Sequence, residues 1–344
     1  MAKLQLSKYQ PALNRKDVRK KIELALEHFL QFYRSQKEMT WAVPQLEKWF
    51  GKHQNDMYGW MRANLLREVR SYSVAQGRAT TYAINQEKFA KVWARLHGET
   101  FDYATERARQ VEPLFRPYLE ADAPLELAVP KIDGGRLYWD GQNTEKVVRA
   151  VIFKGCYDYD IQAAMPTLVL QSIAASKGLN WREAFPMWAR YLGNRAVFRE
   201  SLAGRLNITI PQAKEVFQGM FDGRRFDLSR AGISAIIGIE KTRKALEDPV
   251  LRPLADEASN AWSLVGLAGR EKGAGAARFR FYEQIEQQVM QSIYEIVTEA
   301  GIRCLPFHDG LTLLDGRRIT DLDAFQALIR EKTGFAVLLE EKQL

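Results

Sequence analysis

Cysteine is scarce: Cys156 and Cys304 are the only two in 344 residues. Two isolated thiols build no disulfide framework, and they suit a reducing, cytoplasmic compartment. No run of about 18 apolar residues occurs, so no membrane span is expected. The opening stretch MAKLQLSKYQ has no continuous apolar core and does not read as a secretory signal. Histidine is rare too. Three of the four (His28, His53 and His97) fall in the first third, which leaves His308 alone in the remainder. A histidine-rich hydrolytic metal centre therefore has too few ligands. There is no internal repeat and no low-complexity tract.

What is present is an ordinary soluble composition, 46% hydrophobic and 27% charged, in a chain long enough for two or three domains. The net charge of +8 is unevenly placed. Residues 1–110 carry 20 of the 50 Lys and Arg but only 11 of the 42 Asp and Glu. A basic first third on a near-neutral remainder points to a polyanion held by the N-terminal part.

That part is mainly helical. RKDVRKKIELALEHFLQFYRSQ places Val18, Ile22, Leu26, Phe29, Leu30 and Tyr33 at helical spacing. In TWAVPQLEKWFG, Thr40 suits a cap, Pro44 a first turn and Gly51 a stop. NDMYGWMRANLLREVRSYSV reads as a third helix. Tyr72, Val74, Thr80, Tyr82 and Ile84 then alternate as in a hairpin. Three helices followed by a hairpin is the order of a winged helix, whose third helix enters the major groove and whose hairpin tip touches phosphates. Arg62, Arg67, Arg70 and Arg78 are the expected DNA contacts. The expected division is a helical, winged-helix-like domain over 1–120, a Pro- and Gly-rich linker over 121–146, and an α+β domain over 147–344.

Within the last of these, VVRAVIFKGCYDYDI has strand character and ends in acids. Helices are expected over PTLVLQSIAASKG, 181–203, 211–221, SRAGISAIIGIEKTRKALE, DEASNAWSLVGLAG and RFRFYEQIEQQVMQSIYEIVTEAG. IRCLPFHDGLTLLDG reads as strand, tight turn, strand, and the C-terminal stretch as helix then strand. Asp158 and Asp160 thus sit at one strand end, and His308 and Asp309 at a hairpin turn. Two strand-end carboxylates brought together would hold two divalent cations about 3.5–4 Å apart. Magnesium suits carboxylate and phosphate oxygens and keeps its waters, and manganese substitutes for it.

These motifs resemble the right-hand polymerases. YDYDIQAAMPTL is similar to motif A: from Asp160, five residues lead to Pro166–Thr167, where B-family and many phage and plasmid polymerases carry Pro-Ser. LPFHDGLTLL is similar to the His-Asp motif C of A-family DNA polymerases and phage-type single-subunit RNA polymerases. PQAKEVFQGMFDG resembles the motif B helix, with Phe221 seven residues after Lys214 and then Gly223. It departs from that motif in two ways: Ile210 stands where an arginine is expected, and the glycine is one residue late. Arg205, Arg224, Arg225 and Lys272, or Arg230, Lys241 and Arg243 on an alternative helix, could supply the missing charge. The resemblance covers residues 147–344 and implies a small antiparallel palm sheet with helical fingers.

It also implies roles. Asp160 and Asp309 bind two Mg²⁺, with Asp158 as helper, and His308 orients the primer terminus. Lys214 neutralises the triphosphate and donates a proton to pyrophosphate, and Phe221 stacks on the base. Met165 stands where the B family has its sugar-reading aromatic, a weaker wall against a 2′-hydroxyl. The implied activity is template-directed nucleotidyl transfer by a phage or plasmid polymerase or primase, in a bacterial or phage-infected cell. The implied partners are a DNA template, nucleoside triphosphates and, as the resemblance admits, a replicative helicase, with no membrane. The rival reading is a non-enzymatic DNA-binding replication initiator or regulator, which explains the basic N-terminus and leaves the acid turns without a purpose.

Overall fold

The computed structural model describes residues 16–34, 54–70, 80–120, 139, 141–229, 231–269 and 273–344. The chain is α+β and divides into two compact units, Met1–Pro113 with Glu145–Ile152, and Leu114–Thr144 with Phe153–Leu344. Among the described residues no helix is long and apolar enough to cross a membrane.

The first unit contains α1 (Lys16–Leu30), α2 (Gln54–Asn64), β1 (Leu66–Arg70), β2 (Thr81–Ile84), α3 (Gln86–His97), the start of α4 (Tyr103–Leu119) and α5 (Lys146–Ile152). Its core gathers Leu26 and Phe29 of α1, Trp60 of α2, Leu66 of β1, Ile84 of β2, and Phe89 and Trp93 of α3. Asn85 caps α3 by accepting from the Lys88 N–H, and Gly98, at φ +76°, ends it. The expected helix through residue 74 stops ten residues early. The Asn64 side chain donates to the Trp60 carbonyl in the last turn of α2, and Leu66–Arg70 leaves to pair antiparallel with Thr81–Ile84. Cross-strand pairing outweighs the helical propensity of LREVR. The expected helix between Thr40 and Gly51, and Tyr72, Val74 and Arg78, lie outside the described residues.

In the second unit one antiparallel sheet has the order β4 (Cys304–Phe307), β5 (Gly310–Leu313), β3 (Tyr157–Ile161), β6 (Leu339–Gln343). The helices are α6 (Ala164–Ser176), α7 (Trp181–Ala184), α8 (Pro186–Gly193), α9 (Arg195–Leu206), α10 (Ile210–Phe221), α11 (Ile233–Ile237), α12 (Ile239–Leu246), α13 (Leu251–Leu264), α14 (Ala274–Glu299) and α15 (Leu322–Thr333). Alternation along the strands sorts their side chains. Tyr159, Ile161, Leu311, Leu313 and Leu339 enter the helical core with α6 and α14. Asp158, Asp160, Gly310 and Thr312 face the other way. On that second face Phe307 packs with Trp139 and Phe153, and Phe115 packs edge-on against both.

Two sequence expectations change here. Lys146–Ile152 is helical, with Val148 buried and Gly155, at φ +87°, in the turn before β3; the strand is confined to Tyr157–Ile161. The apolar positions 148 and 152 are one helical turn apart, a period the run also satisfied. The expected linker is not wholly one either: Trp139 is buried, and its indole N–H donates to the Pro306 carbonyl on β4 at 2.7 Å.

The end of α10 yields a test of the core. Asp222 is its C-cap, and its Oδ1 is buried with no hydrogen-bond partner. Burial raises its pKa from 3.8 to about 6, against the pull of Arg224 and Arg278. The native state therefore holds the Asp222 proton more tightly than the unfolded chain does. Below 3.8 both states are protonated and nothing is lost. As pH rises toward 6 the native state alone resists ionisation, and the cost is complete above that. Asp222→Asn should raise stability at pH 7.5 by roughly 2–3 kcal/mol. A thermal melt at pH 7.5 should show the gain, and one near pH 4 should show almost none.

Candidate active site

The sheet brings the two acid motifs together. Asp160 pairs in register with Gly310, and the Ile161 N–H donates to the Asp309 carbonyl at 2.8 Å. Asp160 and Asp309 therefore stand at the same end of neighbouring strands, although most of the second unit separates them in sequence. His308 and Asp309 form the two-residue loop between Phe307 and Gly310. The φ of His308 is +50°, in the left-handed region that the first loop position of a type II′ turn requires and that glycine normally fills. Histidine there carries a backbone cost of the kind found at functional turns.

Gly310 is needed for a different reason. A Cβ built on it would lie 2.5 Å from Asp160 Oδ1 and 2.6 Å from the Tyr159 carbonyl oxygen. Its missing side chain is the space that the Asp160 carboxylate occupies.

Asp158 departs from the expected role. It is buried, and the Thr312 hydroxyl donates to its Oδ1 at 2.8 Å. Two residues before Asp160 on β3, it fastens β3 to β5. The third carboxylate near Asp160 is one the sequence reading missed, Glu340, its register partner on β6. Like charges directly opposite destabilise a strand pair. Lys342, on the same face, relieves the repulsion, with Nζ 2.7 Å from Glu340 and 3.9 Å from Asp160. The Lys342 hydrogen bond holds Glu340 below the usual carboxylate range, with Arg195 helping and Asp160 opposing. Beneath the face, Tyr159 ties the sheet to the loop after β5: its hydroxyl donates to Glu341 at 2.7 Å and accepts from the Ile319 N–H at 3.0 Å.

The expected nucleotide-binding helix fares differently. α10 begins with a capping box between Thr209 and Gln212. Lys214 is exposed on it, and the helix packs chiefly against α9, α11 and α13. Phe221 is a correction. It is fully buried, with ring centres 4.9 Å from Trp188 and 5.6 Å from Trp262, so it offers no face to a base. Its spacing from Lys214 matches the motif, but a helix ending in an aromatic is equally a core-packing pattern. Met165, in the first turn of α6, is half-buried against the core.

Of the other basic residues considered, Arg205 is committed to Asp248 at 2.7 Å and Lys241 to the Asn207 carbonyl at 2.6 Å. The Arg224 side chain lies over Gly219. Arg230 and Lys272 lie outside the described residues. On the first unit, Arg62 lies over the rings of Tyr58 and Tyr82 and near Glu68, while Arg67 and Arg70 belong to β1 rather than to a helix.

Among the described residues no three His, Cys, Asp or Glu side chains form a ready-made metal cage. Two aspartates brought to one end of the sheet by the backbone register nonetheless carry the hard oxygen donors that magnesium accepts, because it fills its shell with water and substrate oxygens. No protein-family model matches the chain, and no curated protein matches its sequence.

Proposed function

We propose that this chain is a template-directed nucleotidyltransferase of the right-hand polymerase kind, a DNA polymerase or a DNA-dependent RNA polymerase or primase of a phage or plasmid. In this reading the four-stranded sheet is the palm, the helices α8 to α12 are the fingers, and the basic first unit is a winged-helix-like module that holds DNA. The single observation that supports it is the register of Asp160 with Gly310, the residue after Asp309, which brings the two motif aspartates to one end of the sheet in backbone terms. The order of the elements agrees: the acid strand comes first, then helices, then the long α14, then the second acid hairpin.

Asp160 and Asp309 are the residues that would hold Mg²⁺, or Mn²⁺ in its place, and the cradle over Gly310 gives the Asp160 carboxylate its room. When bound, the ions offset charge on the phosphates and make a 3′-hydroxyl a better nucleophile. The protein's own part is positional. Thr312 and Asp158 lock β5 to β3, and the His308 turn aims Asp309. Lys342, with its ammonium between Asp160 and Glu340, offsets the repulsion of the two carboxylates.

The test is incorporation of labelled nucleotides on single-stranded DNA, with and without a primer, in Mg²⁺ or Mn²⁺, with dNTPs and NTPs in parallel. We expect metal-dependent extension, and the preferred nucleotide set identifies the product. A chain that binds DNA with steep salt dependence but never extends it is instead a replication initiator or regulator.

A further inference from the structure

β6 is an outer strand of its sheet, with β3 as its one strand neighbour among the described residues. The Gln162 N–H donates to the Leu338 carbonyl and the Leu344 N–H to the Cys156 carbonyl, so the even-numbered residues of β6 turn their backbone groups toward β3. Leu339, Glu341 and Gln343 therefore turn theirs away from the sheet. Of these groups the Leu339 N–H is met by Gln326 Oε1 at 2.7 Å. The Leu339 carbonyl and both backbone groups of Glu341 and Gln343 have no strand partner among the described residues. The other outer strand, β4, differs: Pro306 has no N–H, and its carbonyl accepts from Trp139.

A row of unspent donors and acceptors is a template for one more strand. The side chains of β6 select which strand. Glu340 and Lys342 stand on the acid face with their side chains 45% and 38% exposed. Two copies of β6 can pair antiparallel about Glu340, Glu341 or Lys342. Centring on Glu340 or on Lys342 sets that residue against its own copy on the acid face, a like-charge pair. Centring on Glu341 instead sets Glu340 of each copy opposite Lys342 of the other, in both directions. Glu341 then meets Glu341 on the opposite face, where each carboxylate is already offset: Arg318 donates to it at 2.7 Å and the Tyr159 hydroxyl at 2.7 Å. In this register the Gln343 N–H of one copy meets the Leu339 carbonyl of the other, so Gln326 keeps its bond to the Leu339 N–H. A foreign strand would have to bring its own matching order of charges, and β6 carries it already.

We propose that β6 is a self-association edge, along which two copies of this chain pair antiparallel about Glu341 into one continuous sheet. The two-fold axis is normal to the sheet, so the acid faces of both copies lie on the same side. Lys342 of each copy then stands opposite Glu340 of the other, the register partner of Asp160. A pairing of five residues buries less than the roughly 1,000 Å² of a stable interface, so the association should be weak and concentration-dependent. It does not depend on the nucleotidyltransferase reading.

Sedimentation over a wide range of concentration should show a reversible equilibrium between monomer and dimer. Glu340→Lys and Lys342→Glu should each weaken the dimer by roughly 10- to 100-fold, because two attractive cross-strand pairs become repulsive. Mixed in equal amounts, the two variants should recover a heterodimer about as strong as the wild-type pair, since each then meets the opposite charge. In the unaltered chain, amide exchange at Glu341 and Gln343 should slow as concentration rises, a readout that needs no variant.

A chain that stays monomeric at every concentration, with exchange at these two amides unchanged, overturns the proposal. Dimers that both single variants leave intact place the contact on another surface and also overturn it. Variants that melt like the wild type, lose the dimer and do not restore it on mixing rule out the register centred on Glu341. Protection of the two amides that needs an added foreign protein assigns the edge to a different occupant and removes the second copy.

Discussion

Asp309→Asn and Asp160→Asn should each lower nucleotide incorporation by roughly 10³-fold, the rate equivalent of several kcal/mol of lost charge stabilisation. Both substitutions keep size and shape and remove only the charge. Asp309 lies in a hairpin loop and Asp160 at a strand end, so neither variant opens a cavity in the core. DNA binding and melting temperature should therefore stay close to wild type. The double variant should be little worse than either single one, because residues acting on one reaction centre do not add. Full activity in both single variants would remove the site. Activity lost in one variant alone would mean that the other acid is only a neighbour.

Gly310→Ala should be nearly as damaging by another route. The new methyl would meet Asp160 Oδ1 at 2.5 Å and the Tyr159 carbonyl oxygen at 2.6 Å. The carboxylate can swing away, but the carbonyl belongs to the β3 backbone and cannot. Either the strands part or Asp160 is driven from its place. We expect incorporation to fall by about 10²-fold, the usual cost of an ångström of misplacement, with a stability loss of about 1–3 kcal/mol from overpacking. Activity and a denaturant melt measured on the same preparation check both. An alanine variant with normal activity would show that the tight fit over Gly310 plays no part in the chemistry.

What was readable in the sequence follows from how local each signal is. The β4–β5 hairpin was legible because two apolar runs flank His-Asp-Gly, although the loop itself is His308–Asp309 and Gly310 already belongs to β5, and α14 because its apolar spacing persists over many turns. The run before β3 was misread because Val148 and Ile152 fit a helix as well as the Val–Ile richness fits a strand. The helix expected through residue 74 failed because the partners of Leu66–Arg70 are Thr81–Ile84, a contact no local pattern announces. Glu340 was missed for the same reason at longer range: in LLEEK it reads as a solvated charge, and only the register of β6 against β3 sets it opposite Asp160. Phe221 shows the converse. Its spacing was visible, but whether an aromatic faces solvent or core depends on Trp188 and Trp262, which arrive from other helices.

The contact between Trp139 and Pro306 bears on how the molecule behaves in a crowded solution. β4 is an outer strand of its sheet, and such strands invite pairing with other chains. At Pro306 the outward position has no N–H to donate, and its carbonyl is already taken by the indole. A stray strand approaching that border finds neither donor nor acceptor at its middle, so the sheet is guarded on that side against growing into fibrils or sticking to its own copies.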